Sequence, residues 1–149
     1  MSLENLVGIK RLVPHGADRG AVQKLLASAR RNIADAQVVG ISTDNRFDAA
    51  YKALMQCAMI GLWANGYRTS TSQPGHHQTA LQCLPLTMAV AQATVIVLDA
   101  LRKQRNLSDY EGDPISEAAL VSCLDEATRL LAHTEQWLRA NHPELADEA

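Results

Sequence analysis

The stretch that decides the fold is "AVAQATVIVLDAL", residues 89–101. Its centre, "TVIV", is β-branched and tempts a strand, because such side chains are stiff and pack well on a pleated surface. The flanking Ala, Gln and Leu residues favour a helix, being better helix formers. The reading is then a helix from about Met88 to about Leu107. It is apolar nearly all round at its start, which places it at the centre of a helical bundle.

The rest of the chain agrees with helices. Val22, Leu25, Leu26, Ala29, Ile33 and Ala36 recur by three and four, with Asp18 placed to cap them and an end near Val39–Gly40. A second helix opens at "STDN", where Ser42 or Thr43 can cap it, and runs on the stripe Phe47, Tyr51, Leu54, Ala58, Leu62 to Asn65–Gly66. After the loop "TSTSQPG", a short helix runs from about His76 to Leu84 and is broken or restarted by Pro85. The loop "SDYEGDPIS" precedes a last helix, capped by Ser116, with Leu120, Cys123, Ala127, Leu130, Leu131, Thr134, Trp137 and Leu138 inward and Asn141–Pro143 at its end. No segment alternates with period two. The fold class expected is all-α, an antiparallel four- to five-helix bundle with one short helix inserted.

The chain has 149 residues, enough for one domain over 1–149, with 1–17 as an irregular lead-in and 142–149 as a tail. Aromatic residues make up only 4%, so the core must be built of Leu, Ala, Val, Ile and Met. The net charge of −2 excludes a globally basic nucleic-acid binder, so any polyanion site must be a local patch. Cys57, Cys83 and Cys123 fall among apolar residues and form no CxxC pair, as expected of core thiols. No signal pattern opens the chain and no apolar run reaches membrane-span length, so a cytoplasmic protein without membrane association is expected. No P-loop, GxGxxG, HExxH or GxSxG motif occurs, and neither a cofactor nor a metal is expected.

The chemistry-bearing segment follows the deciding stretch: "LDALRKQRNLSDYEG", residues 98–112. Leu98, Leu101 and Arg105 share a helix face, so Arg105 continues an apolar seam. Arg102, Asn106 and Tyr110 form the neighbouring stripe. A buried arginine needs a carboxylate, carbonyls or a bound anion. Asp109, four residues on, can pair with it. The plain reading is a solvated helix end whose cations suit the helix dipole; the functional one is an anion site. His76 and His77 start the short helix. Adjacent helical residues point ~100° apart, which makes them poor joint metal ligands. They can cap, pack, or hold an anion at the helix start. Arg68 and Arg46 are either further phosphate contacts or surface and capping residues.

"LRKQRNLSDYEG", with "LENLVGIKRL", "ARRNIADAQ", "RFDAAYKALMQCA", "NGYR", "GHH" and "WLRANHPEL" in order, resembles a bacterial branch of the HEPN superfamily over nearly the whole chain. Its signature is an Arg, often followed by Asn, then a His after four to six residues at the end of a long helix. Arg105 and Asn106 match; Tyr110 stands where the His is expected. The resemblance implies a homodimer with the motif in a shared cleft. It implies RNA or nucleotide-phosphate binding, with Arg105 as clamp and Asn106 beside it; Arg102, Asp109, Arg68, His76 and His77 are the further candidate contacts that position and charge suggest. It also implies, in some members, metal-independent RNA cleavage as a toxin paired with a nucleotidyltransferase-type antitoxin. Tyr, with a pKa of ~10, is a poor base at neutrality, though Tyr110 can donate a proton. Whether the chain is an enzyme therefore stays open. Either His76 or His77 replaces the missing imidazole at a degenerate ribonuclease site, or the chain is a non-catalytic protein-interaction subunit, or a purely structural helical dimer.

Overall fold

The computed structural model describes residues 1–147. In chain order the elements are α1 (Leu3–Gly8), β1 (Leu12–Pro14), α2 (Arg19–Ala36), α3 (Thr43–Ala64), β2 (Tyr67–Thr69), α4 (His76–Gln82), α5 (Leu84–Met88), α6 (Gln92–Glu111) and α7 (Glu117–Asn141). The fold is mostly helical, as the apolar periodicities require. The expected caps are in place. The Asp18 carboxylate accepts from the Ala21 amide at 2.8 Å, Ser42 Oγ from Asn45 at 3.2 Å, and Ser116 Oγ from Ala119 at 3.1 Å. Each satisfies one of the amides that a helix start leaves open.

The deciding stretch is helical only from Gln92 on, because Met88 ends α5 and Ala89 turns the backbone left-handed (φ 56°), and α6 is not the central helix. Twelve residues of α3 are buried, against Val95, Leu98 and Leu101 alone in α6. Small residues on α3 (Ala50, Ala53, Ala58, Gly61) let α2, α7, α4 and α5 approach it closely. The apolar run of α6 covers more of the helix circumference than its neighbours can, so Ile96 stays 64% exposed and Val97 is also exposed. The helix runs on through "SDYE", expected as loop, because Arg105 and Asp109 pair across its last turns. It ends at Gly112, whose left-handed backbone (φ 73°) suits a residue without a Cβ.

The lead-in is ordered, contrary to expectation. It holds α1 and then β1, which pairs antiparallel with β2 in the register Leu12↔Thr69, Val13↔Arg68, Pro14↔Tyr67. Three-residue strands are too short to show a period of two, so the sequence pattern could not reveal them. The tail is not wholly free either: Leu145 and Ala146 are buried, and Gln23 Nε2 donates to the Leu145 carbonyl at 2.9 Å. All three cysteines are buried. Burial pushes the Cys57 and Cys123 thiols up to about 12 and Cys83 to about 11, so they stay protonated and inert at neutrality. Among the described residues, no helix is long and apolar enough to cross a membrane.

Candidate functional site

One face of α3 carries Asp48, Tyr51, Lys52, Met55, Gln56 and Met59, spaced by three and four. With Leu25 of α2, His77 of α4 and Arg105 of α6, this face lines an open cavity of about 510 Å³. The polar groups gather around Tyr51. Met55 and Met59 follow one and two turns further along α3 and make the lining apolar. Gln56 is a wall rather than a free ligand group, since its amide accepts from Asn32 Nδ2 at 2.9 Å and donates to Ser28 Oγ at 2.8 Å.

Arg105 Nε lies 2.8 Å from Asp109 Oδ2, with the two side chains 29% and 31% exposed. Asp109 is its one ion-pair partner among the described residues. A guanidinium has five N–H donors and a single carboxylate can occupy two, so donor capacity remains. The Arg105 Cζ also sits 5.5 Å from the centroid of the Tyr51 ring, in cation–π range. The ring is itself backed by Phe47, nearly parallel to it at 6.5 Å.

The Tyr51 hydroxyl is 3.2 Å from His77 Nδ1, and the His77 ring meets the His76 ring edge-on at 4.7 Å. Burial, then the neighbouring His76, Arg105 and Arg102, hold the His77 imidazole below its ordinary value, so it is neutral at pH 7. Burial pushes the Tyr51 phenol up to about 12, against the pull of Arg105 and Arg102, so it keeps its proton. Burial and the like charge of Asp109 raise Asp48, with Arg105 opposing.

The structure thus brings together Arg105, Asp109 and His77 from the expected set, with His76 beside them. Arg102 is close enough to act on Tyr51 and His77 electrostatically, but its Nε is taken by Asp99 at 2.8 Å. Tyr110 does not join them. It is 80% exposed and lines a separate groove with Lys103, Asn106, Leu107 and Glu111, because five residues past Arg105 is about 140° round the helix. Asn106 goes with it. Arg68 is exposed on β2 and donates to the Thr69 carbonyl at 3.3 Å, outside the cavity. Arg46 caps α2, donating from Nε to the Ala36 carbonyl at 2.8 Å.

Sequence reasoning missed Tyr51 and Asp48. Tyr51 reads as one more apolar stripe residue. The available signal was the polar interleaving of Asp48, Tyr51 and Lys52 on a helix otherwise apolar. Among the described residues, no group of three or more His, Cys, Asp or Glu is placed to hold a metal ion. The assembled donors suit a small anion, with a neutral imidazole beside a partly used guanidinium. No protein-family model matches the chain, and no curated protein matches it.

Proposed function

We propose that the chain is a HEPN-like helical domain whose cavity binds the phosphate of an RNA or nucleotide through Arg105 and His77. The observation that carries this reading is that Arg105 and His77, from two separate helices, line one open cavity. Arg105 supplies a bidentate clamp and His77 the imidazole that the motif lacks at Tyr110. Binding is the activity assigned. Tyr110 stands apart from Arg105, so the motif position supplies no acid–base partner, and any metal-independent cleavage is that of a degenerate, weak endoribonuclease of the toxin–antitoxin type.

The test is to incubate the purified protein and its Arg105→Ala variant with mixed RNA across a salt series. Binding should weaken steeply with salt. Loss of one phosphate contact should lower the log–log slope by about 0.7 for single strands. Equal behaviour of the two proteins would overturn the reading and leave a structural helix pair.

A second surface favours a protein partner. Ile96, Ala100, Lys103, Leu107 and Tyr110 form one outward stripe on α6, with Ile96, Leu107 and Tyr110 prominent among the exposed large apolar side chains. We assign it to a second copy of the chain. Lys103 and Glu111 lie equally far either side of Leu107, so an antiparallel copy centred there faces each with its opposite charge. Light scattering should give a dimer that Leu107→Glu dissociates. A monomer at high concentration would refute the dimer and leave the stripe to a different subunit, such as a nucleotidyltransferase-type partner.

A further inference from the structure

We infer that Tyr51 is a positioning residue that fixes His77 as its Nε2–H tautomer, leaving that N–H as a donor to an anion clamped by Arg105. The functional half rests on the phosphate reading above; the chemical half does not.

Tyr51 is 3% exposed, and the one hydrogen-bond partner of its hydroxyl among the described residues is His77 Nδ1, at 3.2 Å. A buried hydroxyl hydrogen needs an acceptor. If the phenol donates to a bare Nδ1, both groups are satisfied and the proton of the neutral imidazole must sit on Nε2. If Nδ1–H donates instead, the phenol hydrogen has no protein acceptor among the described residues. Other proton arrangements fail as well. The phenol, pushed up to about 12, does not ionise near neutrality, and the imidazolium is disfavoured by burial and by His76, Arg105 and Arg102. Nε2 has no partner among the described residues, and His77 lines the cavity.

The Tyr51 ring also sets the geometry of both anion-binding groups. The Arg105 Cζ is 5.5 Å from its centroid and the His77 ring 5.9 Å. Phe47, fully buried behind it, keeps the ring from tilting. One phenol therefore spaces a guanidinium from an imidazole and decides which imidazole nitrogen carries hydrogen. His77 then enters the site as a hydrogen-bond donor rather than as a base.

The experiment is nitrogen-15 NMR of the imidazole rings at neutral pH, without ligand, with the His77 signals assigned by their loss in His77→Asn. The wild-type protein should show the Nε2–H pattern, and Tyr51→Phe, which keeps the ring, should show a mixture of tautomers. An Nδ1–H pattern in the wild type, or a pattern that Tyr51→Phe leaves unchanged, would overturn the assignment. Inorganic phosphate should bind Tyr51→Phe roughly 2- to 10-fold more weakly, the loss of one hydrogen bond. Unchanged affinity would overturn the positioning role. Phosphate binding that survives Arg105→Ala intact would overturn the functional half alone, while the tautomer result stands.

Discussion

Replacing Asp109 with Asn separates an anion site from a structural ion pair, because the two predict opposite signs. Asp109 is the carboxylate that occupies Arg105, at 2.8 Å, and both side chains are under a third exposed. A pair of this kind contributes ~0.2–1 kcal/mol. A phosphate entering the cavity must compete for the guanidinium against that attraction. Asn keeps the shape and removes the charge, so the competition falls away and RNA affinity should rise about 1.4- to 5-fold. Stability should move the other way, by the ~0.3–0.5 kcal/mol of an i,i+4 helical pair. The assay is fluorescence anisotropy with a short single-stranded RNA at low and high salt, beside a thermal melt. The gain should shrink at high salt, where the screening length falls towards ~3 Å at 1 M. If Asp109→Asn lost affinity together with stability, Asp109 would be orienting Arg105 rather than restraining it, and the competitive picture would be wrong.

Gly61→Ala should destabilise despite the better helix propensity of alanine. The added Cβ would stand 2.9 Å from Thr87 Oγ1 and 3.1 Å from Met88 Cγ where α5 crosses α3. Overpacking costs ~1–3 kcal/mol against a propensity gain of ~1 kcal/mol, so a Tm lower by up to ~8 °C is expected, and a higher Tm would show that α5 yields freely. Asp48→Asn should stabilise the protein at neutral pH and leave it unchanged in acid. Burial and Asp109 raise the folded-state value of Asp48, so the folded form holds that proton more tightly than the unfolded chain does. The stability it contributes is present below the ordinary carboxylate range and is lost as pH rises through the raised value. Urea denaturation at acid and neutral pH would show it, and a variant equally stable with wild type at both would contradict the shift.

The long helices α2, α3, α6 and α7 were legible because each carries a long apolar stripe, and three of them a capping side chain; α1 and α5 are too short to carry such a stripe. Asp18, Ser42 and Ser116 mark three starts and Gly66 one end, whereas α6 runs past its expected end near Leu107 to Gly112. The depth of each helix was not legible. Apolar content alone made residues 89–101 look central, whereas the centre went to α3, whose small residues admit neighbours on more sides. The sheet escaped because its strands are too short for a pattern. In the candidate site, Arg105, Asp109 and His77 were readable from charge on a core seam and from an absent imidazole. Tyr51 was not, because a phenol on an apolar stripe looks like packing until its hydroxyl is seen against His77. Tyr110 was placed with Arg105 by the family resemblance, and five residues turn the helix by about 140°, which carried it to the outer surface.

One wall of the cavity is anchored and the other is not. Tyr51 belongs to the most enclosed helix of the fold, whereas Arg105 and Asp109 stand on the end of α6, past Leu101, where no side chain is buried. That segment can unwind at little cost to the rest of the molecule, since it surrenders almost no shielded hydrocarbon. Its amides should trade hydrogen for deuterium faster than those of residues 95–101. Whatever occupies the cavity should slow that traffic, with the ligand acting as a splint for the helix that grips it.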